Sequence, residues 1–219
     1  MYKRNRTQAN QEQSIIMVQQ EPPVSSLNFG SDFGGGFNDG DPRAIWLTQE
    51  IYPENVPNII QQILSINYED TLKEKEAKLN DQIYIRHPIK LYISSYGGSV
   101  YDGLGLIGVI SSSRTPVHTY AVGKVMSMGL LLAISGAKRF AYPHTTYMFH
   151  SLSTEAQGTF TALQESAEEA QRLQHKLDHI VLTTTNISLD RLTEVHRTKL
   201  DWYFDVNHAL ELKCVDEII

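Results

Sequence analysis

The segment from Tyr120 to His150 reads YAVGKVMSMGLLLAISGAKRFAYPHTTYMFH, and we expect the fold to be organised around it. The apolar residues 120–122 have the composition of a strand end, which Gly123 is predicted to break. Ser127 then precedes the apolar run 128–134, which is typical of a buried helix. Its hydroxyl is either a helix cap or a nucleophile at a helix start, where backbone N–H groups can stabilise an oxyanion. Judged by the frequency of serine caps alone, the cap is the better interpretation.

The composition is that of a soluble globular chain. Its 219 residues, 41% of them hydrophobic and 20% charged, are enough for one well-cored domain with a tail. A formal net charge of −6 and the lack of a long basic block argue against nucleic acid as a partner. The single cysteine, Cys214, excludes an internal disulfide, and its apolar neighbours indicate a buried side chain. No apolar run reaches the roughly 20 residues of a membrane span, so we predict neither a span nor an export signal.

Residues 1–41 are predicted to form a flexible N-terminal arm, separate from a domain over 42–219. The arm is rich in polar residues and glycine, so it cannot bury enough apolar surface to offset the entropy of ordering. Phe29, Phe33 and Phe37 recur within it at even spacing. They are either linker residues or a segment that docks against a partner.

Strand and helix patterns alternate through the domain and predict an α/β fold of βαβ units. Strands are predicted at 44–47, 89–93, 118–122, 138–142, 145–149 and 201–204. Helices are predicted at 53–66, with a solvated charged extension over 69–81, and then at about 99–109, 128–134, 159–185, 188–195 and 207–213. This alternation argues for a mainly parallel sheet, whose carboxyl-end edge collects functional residues. The Gly97-Gly98 turn, Ser127 and His150 should share that edge.

The helix over about 159–185 is long for a domain of this size. Residues Thr161 to Gln164 fit a capping box at its start. We therefore expect half of this helix to project beyond the body of the domain.

One serine, one histidine and one aspartate are candidates for nucleophilic catalysis. Ser127 would be the nucleophile, His150 the general base, and Asp201 the carboxylate that orients the imidazole. The backbone N–H groups of Gly98 and Met128 are the natural oxyanion donors. The order Ser, His, Asp and the lack of a Gly-x-Ser-x-Gly sequence exclude the chymotrypsin, subtilisin and α/β-hydrolase folds.

Other residues compete for these roles. His144 is an alternative base, and Asp190 and Asp205 are alternative acids. Lys124 lies in the same turn as Ser127 and is a candidate for a Ser-Lys dyad. The chemistry alone favours a serine hydrolase no more strongly than it disfavours one.

A metal site and a nucleotide site are both disfavoured. His175 and His179 have the i,i+4 spacing of metal ligands, with Asp178 adjacent, but no third ligand is evident. A solvated helix face is the favoured interpretation. The chain has no Gly-x-x-x-x-Gly-Lys-Ser/Thr sequence, so we expect no nucleotide to be bound through a P-loop.

A set of motifs, taken together and in order, resembles a known family from about Arg43 to Ile219. The motifs are LYISSYGGSV at 91–100, GKVMSMG at 123–129, GAKRFAYP at 136–143, MFH at 148–150, QG at 157–158, Asp201 and VDEI at 215–218. They resemble the proteolytic subunit of the Clp protease, ClpP, of peptidase family S14, and the chain is similar to a divergent member. The resemblance implies a crotonase-like α/β fold. It also implies a Ser127–His150–Asp201 triad with Gly98 and Met128 as oxyanion donors.

The resemblance further implies an assembly. ClpP subunits form two stacked heptameric rings, a tetradecamer, in which the long helix over about 159–185 is the handle where the rings meet. The partner is an AAA+ unfoldase of the ClpX, ClpA or ClpC type that feeds unfolded polypeptides into the chamber for cleavage to short peptides. ATP is used by that partner, so the chain itself needs no cofactor or metal. The implied location is the cytoplasm, with a plastid stroma or phage-infected host cytoplasm as alternatives.

The chain departs from the family pattern at several places. The family's Ser-Pro-Gly-Gly is Ser95-Tyr96-Gly-Gly here, its Gln-Ala-Ala-Ser is Lys124-Val-Met-Ser127, and its His-Gln-Pro is His150-Ser-Leu. Two alternatives therefore stay open. One is a catalytically weak or inactive ring subunit paired with active copies, and the other is a CoA-ester enzyme on the same fold that does not need Ser127.

Overall fold

A computed structural model describes residues 40–219, which fold around a seven-stranded sheet. The strands are β1 (Ala44–Leu47), β2 (Ile89–Ser95), β3 (Val117–Met126), β4 (Lys138–Ala141), β5 (Thr146–Phe149), β6 (Trp202–Asp205) and β7 (Glu217–Ile218). The order is β1-β2-β3-β4-β7, while β5 pairs with both β3 and β6. Among these described strands, β5 and β6 alone run antiparallel, so the predicted α/β class with a mainly parallel sheet is confirmed. Residues 1–39, which include Phe29, Phe33, Phe37 and most of the predicted arm, lie outside the described residues.

Six helices surround this sheet in the described part of the chain. They are α1 (Val56–Leu79), α2 (Val100–Ser112), α3 (Met128–Ala133), α4 (Phe160–Thr184), α5 (Leu189–Thr198) and α6 (Val206–Glu211). The helical stripe at 53–66 and its predicted charged extension at 69–81 form the single helix α1. The C-terminal residues Glu217 and Ile218 pair with β4 as a strand that the sequence did not predict.

The core lies between the sheet and the helices. The β2 residues Ile89, Leu91 and Ile93 are fully buried, as expected for a central parallel strand covered by helices. Cross-strand neighbours Trp46, Tyr92, Tyr120 and Phe140 stack in register, with ring centroids 4.2–4.8 Å apart. These stacked pairs stabilise the register between neighbouring strands from β1 through β4. Cys214 is buried, as predicted.

The strand β3 bends at Gly123 instead of ending there. Its first half, up to Ala121, pairs with β4, and its second half, Lys124 to Met126, pairs with β5. Gly123 has a φ of +66°, which glycine adopts without the steric cost of a side chain. The prediction that Gly123 breaks the strand is therefore wrong, because the ladder resumes after the bend. This second half carries the chain directly to Ser127.

The charged extension of α1 is not solvated throughout. Asp70 is fully buried, and its carboxylate accepts hydrogen bonds from Arg43, Tyr84 and Thr115. The prediction of a solvated segment is wrong at this position, because distant residues supply the partners that let a carboxylate be buried.

The start of α4 also differs from the prediction. The N-cap is Thr159, whose hydroxyl accepts from the Ala162 N–H at 3.3 Å. The capping box at Thr161–Gln164 is therefore wrong by two residues, since Thr161 already lies inside the helix.

Candidate active site

Ser127 lies in a sharp turn between β3 and α3. Its backbone has φ +52° and ψ −123°, a conformation that costs free energy for a residue with a side chain. The turn is anchored by the Ser127 N–H, which donates to the Met148 carbonyl of β5 at 2.8 Å. Gly97 lies opposite, where a Cβ atom would come within 2.7 Å of the Ser127 Cβ. A strained strand-to-helix turn thus exposes the serine without the Gly-x-Ser-x-Gly sequence that usually marks one.

The hydroxyl of Ser127 does not cap α3. Ser127 occupies the N-cap position, but its side chain makes no capping hydrogen bond. Its Oγ lies instead 2.8 Å from the Nε2 of His150. Of the two interpretations open from the sequence, the cap is therefore wrong, and the hydroxyl contacts the imidazole of His150 instead.

His150 follows directly after β5. The parallel pairing of Lys124–Met126 with Thr146–Met148 brings the ends of β3 and β5 to one edge of the sheet, as predicted for Ser127 and His150. The imidazole side chain is 29% exposed, so it can reach both Ser127 and an incoming substrate. A strand pairing therefore sets the contact between these two side chains.

Asp201 is brought close to His150 but not into hydrogen-bond contact. It immediately precedes β6, whose antiparallel register places Trp202 opposite Phe149 and so puts Asp201 beside His150. Its Oδ1 is 4.0 Å from the His150 Nδ1, which exceeds hydrogen-bond distance. The carboxylate is about half exposed and lies 3.5 Å from the Tyr203 hydroxyl. The pair is close enough for electrostatic attraction, and a small approach would complete the bond.

The Gly97-Gly98 turn faces the Ser127 turn. The Ile51 N–H donates to the Gly97 carbonyl and the Ser99 N–H to the Ile51 carbonyl, both at 2.7 Å. This bridge uses the groups on either side of Gly98, so the N–H of Gly98 points away from Ile51. A Cβ at Gly98 would lie 2.3 Å from the Ile51 oxygen, so only glycine fits.

Met128 supplies a second free donor. It is the first residue of α3, and the N–H groups of a first helical turn have no acceptor within the helix. A Cβ at Gly97 would lie 3.1 Å from the Met128 nitrogen, which shows how closely the two turns approach. The Gly97-Gly98 turn and the start of α3 thus lie against each other beside Ser127.

A small apolar cavity of about 30 Å³ adjoins the serine and histidine. It is lined, besides those two residues, by Val100, Met128, Leu131, Phe149, Leu152 and Leu177. Val100 and Leu152 also line an open groove of about 520 Å³ that runs towards the first turns of α4. The groove therefore reaches, at Val100 and Leu152, the residues that border the small cavity beside the serine.

The competing residues lie in other settings. His144 is an exposed turn residue with φ +67°. Asp205 caps α6 by accepting from the His208 N–H, and Asp190 is exposed in the first turn of α5. The Lys124 ammonium lies over the Tyr96 ring, 4.6 Å from its centroid. These contacts give each of the four a structural surrounding distinct from the Ser127–His150 pair.

Asp178 has a role that the sequence did not indicate. His175 and His179 are exposed on α4, whereas Asp178 turns inwards and contacts His196 of α5 at 3.0 Å. Ser151, the residue after His150, contacts the other ring nitrogen of His196 at 2.9 Å.

Within residues 40–219, no group of three or more histidines, cysteines and carboxylates is arranged to hold a metal ion. No helix in that range has the length and apolarity of a membrane span.

The chain matches known proteins over nearly all of the described residues. The family model for Clp protease matches residues 40–219. Similar relatives are the ATP-dependent Clp protease proteolytic subunit 2 of Treponema pallidum (strain Nichols), 26% identical over 181 residues, and the protein of the same name from Synechococcus sp. (strain CC9605), 30% identical over 179 residues. These alignments cover 82% and 81% of this chain, and 83% of each relative. The chain, with its parallel sheet and its serine at the sheet edge, belongs to the Clp protease family.

Proposed function

We propose that this chain, a proteolytic subunit of a Clp protease, hydrolyses peptide bonds through Ser127, His150 and Asp201. The observation that carries the proposal is the 2.8 Å contact between the Ser127 Oγ and the His150 Nε2 at the end of a strained turn. Such a pair is the minimum that an activated serine requires. The nearby N–H groups of Gly98 and Met128 supply the complementary oxyanion site.

The first half-reaction follows from the tautomer of His150. The proposed mechanism requires the Ser127 hydroxyl to donate to Nε2, which places the proton of the neutral ring on Nδ1, on the side of Asp201. Oγ attacks the scissile carbonyl carbon as its proton moves to Nε2, and the carbonyl electron pair moves to the oxygen. The Gly98 and Met128 N–H groups stabilise that oxyanion. The negative charge of Asp201 stabilises the imidazolium, which draws the carboxylate in from 4.0 Å.

The second half-reaction restores the enzyme. The tetrahedral intermediate collapses, the C–N bond breaks, and the leaving amine takes the proton from the His150 Nε2. Water then gives a proton to His150 and attacks the acyl group on Ser127, and a second collapse releases the acid and returns the proton to Oγ. The open groove would hold the extended substrate chain and leads, at Val100 and Leu152, to the serine.

The proposed assembly is two stacked heptameric rings served by an AAA+ unfoldase. Both relatives carry the words ATP-dependent in their names, whereas this sequence has no P-loop, so ATP would be used by a separate unfoldase. All of the buried residues of α4 lie in its second half, at Leu173, Leu177 and Val181. The first half is thus free to meet another copy, as a handle helix would. We place this assembly in the cytoplasm, where unfolded polypeptides would be its substrates.

A serine-reactive fluorophosphonate tests the proposal directly. We expect mass spectrometry to find a single adduct on Ser127, and expect Ser127→Ala and His150→Ala to abolish it. His144→Ala is the matched control, because His144 is a turn residue away from the serine, and it should retain the adduct. An absence of adduct in protein that sizing shows to be fully assembled would overturn the catalytic proposal.

A further inference from the structure

A second chain of hydrogen bonds lies directly behind His150. The Ser151 Oγ is 2.9 Å from the His196 Nδ1, and the His196 Nε2 is 3.0 Å from Asp178. Gln174 donates to Asp178 at 2.9 Å and accepts from the Leu152 N–H at 2.6 Å. The network therefore joins the two residues after His150 to both α4 and α5.

This serine, histidine and aspartate do not form a second catalytic centre. Ser151 is not in a strained turn, and the next N–H along the chain, that of Leu152, is taken by Gln174. An oxyanion formed at Ser151 would thus lack the donor that Met128 offers at Ser127. Ser151, His196 and Asp178 must therefore have a role other than nucleophilic catalysis.

The network fixes the chain at the point where regular structure stops. After Phe149, residues 150–157 form neither strand nor helix, so β5 alone would leave the backbone of His150 held on one side only. The side chains of Gln174 and His196 hold the other side, through Leu152 and Ser151. His150 is thus anchored before and after its own Cα.

The same network is also connected, through α5, to the segment that carries Asp201. His196 lies in the last turn of α5, and this helix ends through Lys199, with φ +55°, shortly before Asp201. A bond from Ser151 to His196 therefore ties the segment that carries the base to the segment that carries the acid. Because the His150–Asp201 gap is already 4.0 Å, a small slip between these segments would separate them further.

One tautomer of His196 satisfies every bond of the network. With the proton on Nε2, the Nε2–H donates to Asp178, and Nδ1 accepts from the Ser151 hydroxyl. These bonds suit a fixed support.

We propose that Ser151, Gln174, Asp178 and His196, which we call the His196 clamp, position His150 for its contact with Asp201. The inference rests on the proposed function, since it assigns these residues to the support of that triad. They are positioning residues, because the bonds given above connect them to His150 only through the backbone and not to Ser127.

The test compares two substitutions of equal shape. Ser151→Thr keeps the hydroxyl, whereas Ser151→Val replaces it with a methyl group of similar size. We measure the second-order rate of fluorophosphonate modification at Ser127, which reports activation of the nucleophile without a peptide. We expect Ser151→Val to react about tenfold more slowly than Ser151→Thr, the effect of one lost hydrogen bond on a barrier. Thr193→Val, on the exposed face of α5, should leave the rate unchanged.

The same pair in an Asp201→Asn background separates positioning from general stability. If the clamp acts by holding His150 to Asp201, the difference between Ser151→Val and Ser151→Thr should vanish there, because residues that act as one unit are not additive. An equal difference in both backgrounds, or none in either, would overturn the inference. A wild-type chain that forms no adduct at Ser127 would instead overturn the proposed function.

Discussion

At the scale of single residues, the geometry of the site depends on two glycines that have no side chain. Ser127 holds a conformation that costs about 1–3 kcal/mol in free energy for an ordinary residue. It is accommodated because Gly97 has no side chain to meet it, and Gly98 similarly approaches the Ile51 backbone. The Ser127 turn and the turn opposite it are therefore shaped around two consecutive glycines.

Gly98→Ala should remove activity selectively. The added Cβ would lie 2.3 Å from the Ile51 oxygen, so the turn must shift and carry the Gly98 N–H with it. We expect kcat for a peptide substrate to fall by about 100-fold or more, as for the loss of one oxyanion donor. The control is Gly108→Ala in α2, where a Cβ meets nothing within 4 Å. It should keep kcat and raise the free energy of unfolding by about 0.5–1 kcal/mol, since alanine is the better helix former. Equal losses of kcat in both variants would contradict this.

The residues of the site differ in how far sequence could predict them. Ser127, His150 and Asp201 stand in motifs whose order and resemblance indicate their roles. Ser151 and His196 belong to no motif, and their contact joins residues 45 apart along the chain. Gln174 and Asp178 are four apart on a helix, a spacing found on every helix. The clamp was missed because only the tertiary fold brings the segment after β5, α4 and α5 together.

At the scale of the elements, α1 is held to the sheet by a buried carboxylate. Burial alone would raise the pKa of Asp70, but hydrogen bonds from Arg43, Tyr84 and Thr115 outweigh it and hold this pKa well below its ordinary value. The unfolded chain therefore takes up the proton first as the pH falls. The stabilisation is complete above the unfolded pKa, near 4, and is lost as the pH drops towards the folded value.

Asp70→Asn should destabilise the fold at neutral pH and less so in acid. Removing the charge leaves the mostly buried Arg43 without its partner, which costs about 3 kcal/mol in the free energy of unfolding. Urea unfolding at pH 7 and pH 3 measures the difference from wild type, and we expect that difference to be smaller at pH 3. The exposed Glu76→Gln on the same helix is the control and should show little change at either pH. A gap that widens in acid would contradict the assigned role of Asp70.

Two tyrosines offer the same substitution with opposite expected signs. The Tyr147 hydroxyl is buried and has no hydrogen-bond partner among the described residues, whereas the Tyr84 hydroxyl donates to Asp70 at 2.7 Å. Tyr147→Phe should therefore raise the free energy of unfolding by about 1 kcal/mol, and Tyr84→Phe should lower it by about as much. Thermal unfolding of both variants decides this. A loss of stability in Tyr147→Phe would mean that its hydroxyl has a partner after all.

Elements were easier to predict from sequence than their ends. Apolar periodicity located the helices and most strands, because burial on one face leaves a regular pattern. The prediction that β3 ends at Gly123 was wrong because a glycine can either end a strand or bend it. Only the pairing of the following residues with β5 distinguishes these two cases. Thr159 and Thr161 are equally good caps by residue type, so the helix start could not be chosen from composition.

At the scale of the whole molecule, α4 carries an apolar stripe that the domain itself covers only in part. Leu173 and Leu177 are buried, while Leu163 lies on the same stripe and is 41% exposed. The proposed ring-to-ring contact would cover this remaining part. Sequence could predict the length of the helix, but which of its turns are covered depends on where the body ends.

Leu163→Glu should therefore weaken the contact between rings. A charge on the stripe would be buried without a partner in the assembled form, which disfavours association. We expect sedimentation to show single rings for this variant and the proposed double rings for the wild type. Thr161→Glu places the same charge on the opposite, polar side of the helix and should leave the double ring intact. Identical assembly of both variants would remove this helix face from the proposed interface.

The anchoring of the Ser127 turn to β5 also has a consequence for biosynthesis. The ribosome makes Ser127 before it makes the Met148 carbonyl that holds the turn, and before His150 and the β6 segment that brings in Asp201. A growing chain thus displays the serine while its base and its backbone anchor do not yet exist. Under the proposed function, Ser127 would become reactive only after the later-translated strands β5 and β6 have joined the sheet. A subunit that is still being synthesised would therefore lack the proposed activity.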